Sequence, residues 1–216
     1  MKQYNILDYG AIADGVTNNA AAIQQAIDEA SAKGGCVVIP QGRYLSGTLI
    51  LKSNIDFHLE KGAVLVSSLN EEDILDFARL FDDDNACTGW DGGCFLFACH
   101  EENITISGEG VIYGQGDKVF IDDDVDGGAH ECPLSVTAFR PRTTFLEDVT
   151  NLTVRDITIQ DAAFWTLHMA GCHHVRVQDI KILNDVRGAN NDGIDPDCCK
   201  DVLITGCLVK TGDDAI

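Results

Sequence analysis

The sequence predicts an all-β solenoid, in which short parallel strands wind into coils and the coils stack. Three observations carry this. One unit recurs: Asn103-Ile104-Thr105-Ile106-Ser107-Gly108, then Asn151 to Ile159, His174 to Ile182 opening 23 residues later and Asp201 to Val209 opening 27 after that. Within each unit polar and apolar residues alternate, which turns every other side chain inward from a strand. Each unit opens on a polar residue and is broken by a polar or glycine kink before a second short strand. A repeat of this length without helices closes one coil, and each coil buries its faces only against its neighbours. Leucine-rich repeats would require their own consensus and a helical segment in the repeats, and these units have neither.

The elements follow in order. Asp8-Tyr9-Gly10-Ala11 and Asp14-Gly15 precede a capping segment at 18–33, helical from about Ala20 to Ala32. Ile23, Ala26, Ile27 and Ala30 share one face; Asn18 or Asn19 caps it and Gly34-Gly35 stops it. Short β runs follow at Cys36–Ile39, Gly47–Leu51, Ile55–Leu59 and Ala63–Val66. Residues 69–96 read as an excursion, with a short helix over Glu71–Leu80 and an acidic run Asp82-Asp83-Asp84. Residues 117–133 read as a second acidic loop containing Asp122-Asp123-Asp124. Both charge runs suit solvated loops. The whole, 1–216, reads as one domain.

Composition narrows the partners. A formal net charge of -20 over 216 residues would repel phosphates, so nucleic acid is excluded. No apolar run reaches the roughly 18 residues of a membrane span, so no membrane partner is expected. Met1–Asp8 lacks the apolar core of a secretory signal, and the chain therefore reads as cytoplasmic. There are nine cysteines and no CxxC pair. Cys87, Cys94, Cys99, His100 and Cys132 match no zinc spacing, and buried thiols in a stacked core are the simpler reading. Cys172 and Cys199 support it: each stands two residues before the opening polar residue of its unit.

The chemistry concentrates near the end of the chain, in Asn190-Asn191-Asp192-Gly193-Ile194-Asp195 and Gly212-Asp213-Asp214-Ala215-Ile216. Asp192 and Asp213 lie about one coil apart, so they fall on neighbouring rungs of one face, about 4.8 Å apart along the stack. Asp214 adds a third carboxyl. Like charges so close cannot all ionise freely, and one of them holds its proton to higher pH. A protonated carboxyl can protonate a leaving oxygen while another activates water, the division of labour in glycoside hydrolysis. A single aspartate would be read as a turn residue; the three together are read as a site.

These segments resemble glycoside hydrolase family 28, the polygalacturonases. Asn190-Asn191-Asp192 and Gly212-Asp213-Asp214 look like the family's Asn-Thr-Asp and Gly-Asp-Asp motifs, with Asn191 in place of the common threonine, a minor departure. Pro40-Gln41-Gly42-Arg43-Tyr44, Gly108 to Gly116, Arg140-Pro141-Arg142 and Phe164-Trp165-Thr166-Leu167-His168 extend the likeness over nearly the whole chain. The resemblance implies a right-handed parallel β-helix with the N-terminal helix over its open end. It implies inverting hydrolysis of α-1,4 galacturonosyl links in pectic poly- or oligosaccharides, with no metal or cofactor. Asp213 would be the general acid, Asp192 and Asp214 would activate water, and Asn190 and His168 would contact substrate. The family's Gly-His-Gly and Arg-Ile-Lys motifs do not follow Ile216. On that ground the chain reads as a β-helix whose C-terminal coils are missing, weak or inactive by itself.

Some residues stay open. Trp165 suits a sugar-facing aromatic or an outer-core residue, and His168 a subsite donor or a hydrogen-bonded histidine. His173-His174 suits a turn. Arg140 and Arg142 could attract a carboxylate or pair with the protein's own acids. Against a hydrolase stand two other classes: a calcium-dependent pectate lyase, which would need a base beside the aspartates, and a non-catalytic carbohydrate-binding β-helix.

Overall fold

The computed structural model describes residues 1–75, 93–122 and 134–216. Three parallel sheets run the length of the stack and form a right-handed parallel β-helix. The first contains Lys2–Asn5, Gly35–Ile39, Ile55–Leu59, Glu102–Gly108, Thr150–Arg155, His173–Gln178 and Lys200–Thr205, in chain order along the stack. The second contains Asp14–Asn18, Gly42–Ser46, Ala63–Ser67, Val111–Tyr113, Thr158–Gln160, Lys181–Leu183 and Leu208–Lys210. The third contains Leu49–Ile50, Cys94–Cys99, Arg142–Glu147, Leu167–Ala170 and Ile194–Asp197.

Register aligns the alternation from rung to rung. Ile112, Ile159 and Ile182 stack in the second sheet, and Val154 lies between Ile106 and Val177 in the first. All are buried in one continuous core with Leu146, Leu167 and Ile194 of the third. The helix, Ala20–Lys33, buries Ile23, Ala26, Ile27 and Ala30 in the same core, over the first rungs. Asn18 Oδ1 accepts from Ala20 N (3.0 Å), whereas Asn19 turns its amide to Ile12, Thr17 and Leu45. Gly34, at φ 70°, ends the helix.

In the later coils two corners are short and alike. Between the third and first sheets stand His100-Glu101, Asp148-Val149, Gly171-Cys172 and Cys198-Cys199; the first of each pair has positive φ, from 46° to 63°. Between the first and second sheets, Asp156-Ile157, Asp179-Ile180 and Gly206-Cys207 repeat the pattern at 66°, 54° and 66°. A short polar side chain or glycine tolerates this conformation, and the residue after it turns inward in most of these corners. The cysteines read as stacked are therefore corner residues: the Cys172 carbonyl accepts from Lys200 N (2.9 Å), and Cys199 Sγ reaches Met169 O (3.3 Å). The unit-opening residues Asn103, Asn151, His174 and Asp201 also have positive φ. The amides of Asn54, Asn103 and Asn151 bond in series (2.9 and 3.0 Å), and His174 Nδ1 lies 3.3 Å from Asp201 Oδ2.

Some expectations change. In place of a helix over Glu71–Leu80, Glu71–Asp73 makes one 3-10 turn and Ile74 is extended; residues 76–80 lie outside the described residues. The strand expected over Gly47–Leu51 shortens to Leu49–Ile50, since the chain turns a corner at Gly47-Thr48 after a separate strand, Gly42–Ser46. The first excursion ends by Gly93, because Cys94–Cys99 is a full rung of the third sheet. Within 117–133, Phe120–Ile121 pairs antiparallel with Ser135–Val136. Asp122 pairs with Arg187 (2.9 Å). Asp82-Asp83-Asp84, Asp123, Asp124, Cys87 and Cys132 lie outside the described residues. Among those described, no group of His, Cys, Asp and Glu is arranged to hold a metal, and no helix is long and apolar enough to cross a membrane.

Candidate active site

The third corner, from the second sheet into the third, varies in length. It holds residues 161–166 in one coil and 184–193 in the next. Asp192 is next to last in the longer segment. Gly193 N donates to Asp214 O (2.8 Å) and Ile194 N to Ala215 O (3.1 Å), which sets Asp213 and Asp214 one rung beyond Asp192. Thr166 N donates to Asp192 O (3.1 Å) from the rung before. The predicted neighbouring of Asp192 with Asp213 and Asp214 is thus present. Close packing allows it: a Cβ on Gly193 would lie 2.5 Å from Ala215 O, and one on Gly212 2.5 Å from Gly188 O.

The environments of the carboxyls differ. Asp192 is 6% exposed, and its Oδ1 is buried without a hydrogen-bond partner. Burial first, then the charges of Asp213 and Asp214, push its carboxyl up to about 6, against the pull of Arg140. Asp195, quoted as part of the motif but assigned no role, is pushed up to about 7 by burial and by Asp192, Asp214, Asp213 and Asp197. Its Oδ2 is also buried and unbonded. Asp213 and Asp214 are exposed; Asp213 Oδ2 accepts from Asn190 N (3.3 Å) and Oδ1 from Asp214 N (3.0 Å).

His168 lies in register with Asp195 on the adjoining rung, 3% exposed, with both ring nitrogens buried and unbonded. Asp197 Oδ2 stands 3.9 Å from its Nε2, beyond hydrogen-bonding reach. Phe145 and Trp165 pack on the ring at 4.8 and 4.6 Å. Burial first, then the Arg142 charge, holds the imidazole down at about 4, so it is neutral through most of the working pH range. His168 and Asp195 share the outward face of the third sheet, because their neighbours Leu167 and Ile194 point into the core. Arg142 is itself enclosed at 1% exposure, its guanidinium 5.3 Å from the Phe164 ring and 5.6 Å from Trp165. Arg140 donates to Ala189 O (2.6 Å) and to Asn190 Oδ1 (2.9 Å), and so braces the segment before Asp192. Asn190 takes φ 53° there.

The family model of glycosyl hydrolases family 28 matches residues 38–216, which include both aspartate segments. The chain belongs to glycosyl hydrolases family 28. A second model, rhamnogalacturonase A/epimerase, pectate lyase-like, matches residues 3–68 of this family 28 chain. A probable polygalacturonase of Vitis vinifera is 29% identical over 98% of the chain and 43% of its own length. Among solved structures, the family 28 exopolygalacturonase of Yersinia enterocolitica superposes with TM-score 0.79 at 26% identity, over 100% of this chain and 44% of that one. The exopolygalacturonase of Thermotoga maritima gives 0.77 at 25%, over 99% and 53%. The family 28 chain thus spans less than half the length of the grapevine relative.

Proposed function

We propose that this chain carries the acid/base centre of an inverting glycoside hydrolase acting on α-1,4-linked galacturonosyl units of pectic poly- or oligosaccharides. The observation that carries this reading is the patch itself: Asp192, buried and unbonded at Oδ1, one rung from the exposed Asp213 and Asp214. The names of the grapevine and bacterial relatives support the substrate class. Asp213, on the solvent side, protonates the leaving oxygen, and Asp192 with Asp214 takes the proton of the attacking water. Asn190, beside Asp213, and His168, beside Asp195 on the adjoining rung, are the substrate contacts of this reading.

The environment of Asp192 supplies the test. A base must be ionised to act, and Asp192 holds its proton up to about pH 6. Turnover of oligogalacturonides therefore rises with pH through about 6 if Asp192 is the base. It falls through the same pH if Asp192 is instead the acid. Asp213→Asn lowers kcat by about 100-fold or more and preserves oligogalacturonide binding. A full-length wild-type protein that binds but never cleaves overturns the proposal in favour of a binding module.

A further inference from the structure

Asn191 was read from sequence as a minor departure from threonine. In the structure it has no exposed surface and its amide is engaged on both sides. Oδ1 accepts from Gly212 N (2.8 Å) and lies 3.2 Å from Thr211 Oγ1, while Nδ2 donates to Asp185 O (2.8 Å). Its carbonyl accepts from Asn184 Nδ2 (2.9 Å) and from the Thr211 hydroxyl. Asn184 in turn binds Thr166 Oγ1 (2.8 Å) and Ala162 N (2.9 Å) of the preceding coil. A Cβ on Gly188 would lie 2.2 Å from Nδ2, so the surrounding chain closes directly on the amide.

We propose that Asn191 is the positioning residue of the acid patch: its side-chain amide ties the segment ending in Asp192 to the turn carrying Asp213 and Asp214. Three residues of the turn are linked to this segment: Gly212 N to the Asn191 amide, the Thr211 hydroxyl to the Asn191 carbonyl and amide oxygen, and Asp213 to Asn190 N. Beyond them the sheet ladder begins at Gly193 and Asp214. A tether is needed because the carboxylates it brings together repel. Threonine's hydroxyl sits on a shorter stem and would have to reach the Asp185 carbonyl and the Gly212 amide from one atom, where the asparagine amide uses two. The catalytic consequence rests on the hydrolase reading; the tether does not.

The test follows the Asp192 carboxyl carbon by NMR through a pH titration, with hydrogen exchange at the Gly212 amide, in wild type, Asn191→Ala and Asn191→Thr. Asp192 is faced by Asp213, Asp214, Asp195 and Arg140. Loss of the tether hydrates Asp192 and moves Asp213 and Asp214 away, and both effects lower its titration midpoint. In Asn191→Ala the Asp192 midpoint falls by about one unit and Gly212 exchange accelerates about tenfold or more; in Asn191→Thr both move the same way by less. An unmoved Asp192 midpoint overturns the proposal, even if Gly212 exchanges faster, because the amide would then be a local staple only. Should Asn191→Ala not fold, Asn191→Thr decides by the same criterion. In wild type, absence of a scalar coupling across the hydrogen bond between Gly212 N and Asn191 Cγ also overturns it. A shifted midpoint with no turnover in any form leaves the tether standing and removes the hydrolase reading.

Discussion

At the corner between the third and first sheets, Asp148-Val149, Gly171-Cys172 and Cys198-Cys199 make the same turn, a positive-φ residue and then the residue that enters the next strand. At the corner leading into the third sheet, residues 161–166 and 184–193 share neither length nor conformation. They are held by side chains whose partners lie on other coils: Asn184 on Thr166, Arg140 on Asn190, Asn191 on Gly212. The first arrangement obtains order from repetition, since each rung copies the last. The second obtains it from single hydrogen bonds that occur once. Every carboxyl of the patch lies at or just after the second kind of corner, so the repeat serves as scaffold and the chemistry sits where the repeat is interrupted.

The sharpest way to break this contrast is to damage the repeat. Ile159 is fully buried between Ile112 and Ile182. Ile159→Ala removes buried methyl groups from a core with little room to collapse and costs about 2–5 kcal/mol, read as a lowered denaturation midpoint. A loss below about 1 kcal/mol would mean that the stack is not the source of stability.

The next test concerns the irregular corner and has the opposite sign. Asp195 titrates at about 7 in the folded protein, above its unfolded value near 4. A raised pKa means that the folded state binds more protons between those values, so this contribution is full below about pH 4 and is lost as pH rises through about 7. Asp195→Asn, which copies the neutral form, therefore stabilises the protein at pH 8 by on the order of 2 kcal/mol and has little effect near pH 3.5. His168 acts against this trend. Its value, lowered to about 4, makes stability rise with pH between about 4 and 6.5. Melting curves of wild type and Asp195→Asn across pH separate the two. Equal melting shifts for the variant at pH 3.5 and 8 would show that the buried carboxyl carries no such cost.

The smallest expected effect lies in the asparagine series. Asn103 has φ 57° and bonds to both Asn54 and Asn151. Asn103→Ala costs about 1–2 kcal/mol, largely through the left-handed backbone. Asn103→Gly keeps that conformation open and costs less than about 1 kcal/mol. If glycine is the worse of the two, the amide series matters more than the turn.

The same contrast explains what could be read without coordinates. The unit openers Asn103, Asn151, His174 and Asp201 were legible because one steric requirement, a positive φ at the start of each strand pair, selects the same residue types every coil. The helix was legible from Ile23, Ala26, Ile27 and Ala30. Asp192 and Asp213 were legible as neighbours because their separation matches one coil. Asn191 as a tether and Asp195 as a half-buried acid were not: each stands one coil from its partner, Gly212 or His168, but spacing alone does not say which side chains bond across the rungs or are enclosed. Asp195 did leave a trace: its place opposite His168 follows once the rungs at Leu167–Ala170 and Ile194–Asp197 are aligned. At the start of the helix expected over Glu71–Leu80, a 3-10 turn over Glu71–Asp73 and an extended Ile74 stand instead, because local pattern is a weak guide outside the repeat.

The uniform corners also bear on which changes of length this fold can absorb. Strand side chains alternate with a period of two, so one residue added at Gly171-Cys172 would turn every following inward residue of that rung outward until the next corner. A residue added among 184–189 meets no such parity. Closing a flexible loop twice as long costs only about 0.6 kcal/mol. Insertions and deletions should therefore collect at one edge of the prism, where they reshape the walls around the acid patch and leave the stack unchanged.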